Sequence, residues 1–139
     1  MFSRACEYAI KIMIFIASNE QGGKRTGLKE IIKAIDSPEA FTAKILQQLV
    51  KAGLLKSFKG PNGGFTLYPS KKITLKNIVI AIDGEALLTN CVLGLPECSG
   101  DNPCPVHFKF VEVKAMLNDI LLSTDLRNEA VLKDTTLKI

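Results

Sequence analysis

One histidine serves the whole chain of 139 residues, and there is neither a Gly-rich phosphate loop after a strand nor a G-x-S-x-G turn. The usual base, phosphate cradle and nucleophile elbow are thus missing, which points away from an enzyme. Low-complexity tracts are absent too. Hydrophobic residues reach 47% against 23% charged, so the chain should fold rather than remain disordered. No apolar run can span a bilayer: the best stretch, Ala9 to Ala17, is interrupted by Lys11 and preceded by Arg4 and Glu7. No small-residue cleavage site follows it, so it reads as mature structure of a cytoplasmic protein without a membrane partner.

The length suits one compact domain with an appended element. The formal charge is +4, unevenly spread. Between Lys24 and Lys76 eleven Lys or Arg face three acids, Glu30, Asp36 and Glu39, for a net +8, while the remaining residues net −4. One basic segment is what a nucleic-acid footprint looks like, although a solvated lysine-rich surface has the same composition.

The pattern of elements predicts a mainly α fold with a small β-hairpin. Apolar residues at Ala5, Tyr8, Ala9, Ile12 and Ile16 predict a first helix over Arg4 to Ala17 with Ser3 as its N-cap. A second follows the Gly22-Gly23 loop and Thr26, over Leu28 to Ile35. Asp36-Ser37-Pro38 breaks it, with Ser37 placed to cap the next helix and Pro38 to open its first turn. Two helices joined by so short a turn form a helix-turn-helix, and the third, about Pro38 to Ala52, is the expected recognition helix. Its apolar side carries Phe41, Ile45, Leu46, Leu49 and Val50. Thr42, Ala43, Lys44, Gln47 and Gln48 are expected outside, and Gly53 ends it. Two β-prone runs, Leu54 to Lys59 and Phe65 to Tyr68, flank Gly60-Pro61-Asn62-Gly63-Gly64 and predict a hairpin, the wing of a winged helix-turn-helix. Lys56 and Lys59 carry its charge. A fourth helix spans Leu75 to Ile82.

Beyond Asp83-Gly84 the character changes. Asn90 to Pro105 is rich in Gly and Pro and holds Cys91, Cys98 and Cys104, spaced C-x6-C-x5-C, with His107 following at C-x2-H. Thiolates converging in such a loop select iron–sulfur clusters or zinc over hard cations. Cys6, on a helix among core positions, reads as packing. From Val106 to about Ser123 a long helix sets Val106, Phe110, Val113, Leu117 and Ile120 at steps of four and three, a seam suited to pairing between subunits or to packing on the chain's own domain. The tail from Asp125 is too polar to assign.

These motifs resemble the Rrf2 family of winged helix-turn-helix transcriptional regulators, over nearly the whole chain to about residue 123. The most specific parts are the wing, Lys59-Gly60-Pro61-Asn62-Gly63-Gly64-Phe65, and the run Cys98-Ser99-Gly100-Asp101-Asn102-Pro103-Cys104-Pro105, which looks like the cluster loop of the family's nitric-oxide sensors. The resemblance implies a homodimer binding double-stranded DNA, as a repressor. It would have a DNA-binding domain over 1–83, a cysteine-rich cluster loop over 84–105, and a dimerisation helix and tail over 106–139. It further implies one iron–sulfur cluster per subunit on Cys91, Cys98 and Cys104, which aerobic purification can strip. His107 stands where a two-iron cluster would take its fourth ligand. Glu7 of the partner subunit matches the residue that completes a four-iron cluster. The first cysteine gap is one residue longer than in the family's cluster regulators, and Lys59 replaces the usual arginine, losing its planar fork. Expected DNA contacts are Thr42, Ala43, Lys44 and Gln47 in the major groove, with Lys56, Lys59, Gly60, Asn62 and Gly63 at the wing. The competing readings are a regulator using the same cysteines as a thiol switch or zinc site, and an iron–sulfur carrier with an incidental basic segment.

Overall fold

The computed structural model describes residues 1–128, and the part of the expected tail beyond Asn128 lies outside them. The elements are α1 Arg4–Gln21, α2 Leu28–Ile35, α3 Glu39–Lys51, β1 Leu55–Phe58, β2 Gly64–Leu67, α4 Leu75–Asp83, α5 Ala86–Thr89 and α6 His107–Ser123. This is the expected mainly helical architecture with one antiparallel hairpin, paired Leu55 to Leu67 through Phe58 to Gly64.

Local chemistry accounts for most boundaries. Ser3 Oγ accepts the Cys6 N–H at 3.1 Å, capping α1. The helix outlasts its apolar stripe by four residues, to Gln21, because polar residues sustain the turns until Gly22. Between α2 and α3 the expected cap is corrected. Pro38 occupies the N-cap without a side-chain bond, and the buried Ser37 hydroxyl turns inward to Thr42 instead. At the other end of α3, Gly53 at φ +75 donates to Val50 and Leu54 donates to Leu49, the paired bonds of a Schellman stop. Thr74 and Asn77 form a reciprocal capping box at the start of α4.

The main core joins α1, α2, α3, the wing base and α4 through Ile12, Met13, Ile31, Leu46, Leu49 and Ile78. A smaller cluster of Cys6, Val79 and Leu121 seats α6 on α1 and α4. The expected seam on α6 therefore divides. Phe110 and Leu117 are half-buried, whereas Val113 and Ile120 remain exposed.

After α6 the chain turns back. Leu75 N–H donates to Thr124 at 3.1 Å and Leu126 N–H to Ile73 at 2.9 Å, sinking the Leu126 side chain into the main core. Arg127 Nε then donates to the Lys71 carbonyl at 2.7 Å, tying this return segment to the loop that leaves the wing.

Candidate DNA-binding face and thiol centre

The short turn at Asp36 to Pro38 sets α3 across α2. Asp36 takes the left-handed conformation, φ 49, that a short polar side chain tolerates. Lys44, Gln47 and Gln48 are exposed on α3 and Ala43 is half-exposed. Ala43 and Gln47 line a hollow of about 420 Å³ between α3 and the wing, floored by Leu28 and Phe65. Thr42 is a correction to the expected reading face. It is fully buried, and its hydroxyl donates to the Pro38 carbonyl at 2.8 Å and meets Ser37 Oγ at 2.5 Å. A methyl-bearing side chain with its hydroxyl satisfied internally packs as well as a small apolar one, so polarity misplaced it.

At the wing, Lys56, Lys59, Gly60 and Asn62 are exposed and Gly63 is partly so. Gly63 is required by the hairpin itself: a Cβ there would lie 2.4 Å from the Phe58 carbonyl oxygen. Thr26, fully buried, exchanges backbone bonds with Phe65 at 3.0 and 2.8 Å, so the segment before α2 braces the wing. Sequence reasoning missed Arg25 in that segment. Its guanidinium lies 3.6 Å from the centre of the Phe58 ring and donates to the Asn62 carbonyl at 3.1 Å. The only hint was its position in a basic pair, Lys24-Arg25, next to a loop.

The three loop cysteines converge, their sulfurs within 4.8 Å of one another. The loop is held by its own backbone. Ser99 and Asn102 exchange backbone bonds at 3.1 and 3.2 Å, and the Cys104 N–H donates to Cys98 Sγ at 3.4 Å. Cys91 and Cys104 sulfurs are 3.8 Å apart, and His107 Nδ1, on the first turn of α6, lies 3.2 Å from Cys98 Sγ. A hollow of about 310 Å³ opens beside Cys98 and Cys104, lined also by Leu95, Pro96 and Asn102. Glu7 is exposed on α1 and outside this thiol group.

The environments of the thiols differ. Backbone N–H groups of Leu95 and Leu93, together with the neighbouring thiols, hold the Cys91 pKa down to about 7. Cys98 goes the other way: the Cys104 N–H pulls its pKa down, but burial and the adjacent thiols of Cys104 and Cys91 outweigh it. Cys6 is pushed up to about 12 by burial, then by the charge of Asp83. That buried thiol is inert packing, as expected.

The donor set fits a thiophilic group. Three soft sulfurs lie together with an imidazole against one of them, in a loop whose residues Val92 to Glu97 are exposed and not tied into the core. A tetrahedral zinc with Zn–S bonds of about 2.3 Å has sulfur–sulfur edges of about 3.8 Å.

Comparison with known proteins bears on the whole chain. Residues 2–130 match the family described as "Rrf2: Iron-dependent Transcriptional regulator". A relative from Aquifex aeolicus, named among the HTH-type transcriptional regulators, is 33% identical over 131 residues, covering 92% of this chain and 90% of its own. The HTH-type transcriptional regulator IscR of Yersinia pseudotuberculosis is 27% identical, covering 91% and 79%. Among solved structures, CymR, the global cysteine regulator of B. subtilis, superposes with a TM-score of 0.76 at 25% identity, covering 94% and 95%. T. potens IscR superposes at 0.71 and 22%, covering 99% and 93%. No helix among the described residues is long and apolar enough to cross a membrane.

Proposed function

The chain belongs to the Rrf2 family of DNA-binding transcriptional regulators, and from that premise we propose that it is a homodimeric repressor whose DNA binding is controlled through an iron–sulfur cluster held by Cys91, Cys98 and Cys104. The observation that carries this reading is the convergence of three thiols within 4.8 Å in an exposed loop at the head of a long helix. When bound, the cluster supplies a centre responsive to redox state, nitric oxide or iron supply.

The chain's own residues supply the rest. His107 is both beside Cys98 and on the first turn of α6, so the shape of the loop is handed directly to that helix. Val113, Met116 and Ile120, more than half exposed, form an apolar stripe suited to the second subunit. How two such helices seat against each other sets the spacing of the two α3 helices, and hence fit to a two-fold operator. Within each module Ala43, Lys44 and Gln47 face the bases, and Lys56, Lys59, Gly60, Asn62 and Gly63 face the adjacent backbone or minor groove. His107 is the fourth ligand for a two-iron cluster, and Glu7 of the partner subunit for a four-iron one.

The test is an ultraviolet–visible spectrum with iron and sulfide assays on protein purified without oxygen, alongside DNA binding by Cys98→Ala. Thiolate-to-iron absorption, matching iron and sulfide, and a variant locked in one DNA-binding state are expected. A Cys98→Ala protein that regulates normally sinks the proposal. The 3.8 Å separation of Cys91 and Cys104 favours one second reading, a single zinc ion or a thiol switch at the same loop. It predicts a colourless protein that still binds DNA.

A further inference from the structure

We infer that Arg25, which lies outside the hairpin in sequence, is part of the wing's DNA-contacting surface and grips a backbone phosphate beside it. The inference rests on the wing facing DNA. The geometry carries the rest. Arg25 stacks on Phe58 at 3.6 Å, with the neighbouring Lys56 ammonium 5.3 Å from the same ring. Two cations gathered at one half-buried aromatic ring repel each other, and among the described residues Arg25 and Lys56 have no salt-bridge partner. The nearby Lys24 does have one, Glu30 at 2.6 Å. An arrangement that concentrates positive charge without local compensation is relieved by an external anion.

The guanidinium is also prepared for that anion. One of its donors is spent on the Asn62 carbonyl at the wing tip, and the ring fixes its plane, while its side chain remains exposed. A guanidinium has five N–H donors, and an oriented edge matches two phosphate oxygens at once. The bond to Asn62 also fixes the turn that carries Lys59, so Arg25 acts on DNA and positions the wing tip.

The probe is a duplex enriched from a random library by the wild-type protein, with an unrelated duplex of equal length alongside. Arg25→Ala is expected to weaken both by about tenfold and to reduce the salt slope of binding by about one. Arg25→Lys keeps the slope but recovers only part of the affinity, since an ammonium lacks the planar fork and stack. Wild-type affinity in Arg25→Ala overturns the inference. So does a lost affinity with an unchanged slope, which marks a structural role alone, or a loss confined to the enriched duplex, which marks base reading. Lys59→Ala separates the levels: if it weakens binding and Arg25→Ala does not, only the inference falls, and if neither does, the placement of the wing falls. Should the variants unfold, the Arg25 Nε–H resonance of the wild-type protein provides the same decision, shifting on duplex addition or staying still.

Discussion

Ser37 Oγ donates its hydrogen to Thr42 Oγ1 across 2.5 Å, because the single Thr42 proton is already committed to the Pro38 carbonyl. The two buried hydroxyls lock the turn between α2 and α3, and with it the angle at which α3 is presented. Thr42→Val keeps the shape and removes both bonds, leaving the Ser37 hydroxyl buried without its partner. The expected cost is about 1–3 kcal/mol in urea melts, with DNA affinity retained at temperatures where the variant is folded. A variant of full stability that has lost DNA affinity would return Thr42 to the reading face.

Gly63 offers a sharper test of the wing. Its absent Cβ is what lets the turn close against Phe58 and Gly60. Gly63→Ala should cost about 1–3 kcal/mol through overpacking of backbone and weaken DNA binding, whereas Gly60→Ala meets no neighbouring atom and strains only its positive φ. Thermal melts of the two variants, compared side by side, check the order.

Thiol chemistry should separate the cysteines in reduced, metal-free protein. The Cys91 pKa is lowered to about 7, so its thiolate fraction, and its rate of alkylation by iodoacetamide, rises as pH increases through about 7 rather than through the usual higher range. Cys6, raised to about 12 and fully buried, stays unmodified until the protein unfolds. Mass-spectrometric labelling across pH 6 to 9, on the order of the range spanned by perturbed and ordinary thiols, reads both. Equal rates at the two positions would contradict this assignment of environments.

The fourth ligand is open to a paired substitution. If the cluster has two irons, His107→Ala should lower its stability to oxygen and change its spectrum, with Glu7→Ala unaffected. If it has four, the pattern reverses. Iron and sulfide stoichiometry measured on each variant without oxygen provides the comparison.

Much of this was legible in sequence because the chemistry is local. Asn62-Gly63 specified a hairpin turn and Gly53 a helix stop, each through a bond or dihedral settled within a few residues. The cysteine spacing likewise announced a centre that the fold then gathers. What stayed hidden depends on distant partners. Thr42 looks polar until Ser37 and Pro38 satisfy it, Arg25 looks like a surface charge until Phe58 slides beneath it, and the division of the α6 stripe depends on Cys6 and Val79 far upstream. Leu126 is one apolar residue in a polar stretch, and only its pairing with Ile73 reveals a buried anchor.

That anchor can be weighed directly. Leu126 is 1% exposed, and Leu126→Ala should cost about 2–5 kcal/mol. Hydrogen exchange at Leu75 and Leu126 amides should accelerate together, since one pairing holds both.

The same anchor makes α6 a lever with a fixed fulcrum. The helix spans about 25 Å from His107 to Ser123. Its far end is clamped at the start of α4 through Ile73 and Leu75, while its near end rests on the thiol loop. A change of shape in that loop would load the near end of the rod, while the far end stays bonded to the winged module through Thr124 and Leu126. In the proposed dimer, regulation through the cysteines would then be angular: a small tilt at the loop would become a change of pitch between two recognition helices, with no rearrangement inside either one.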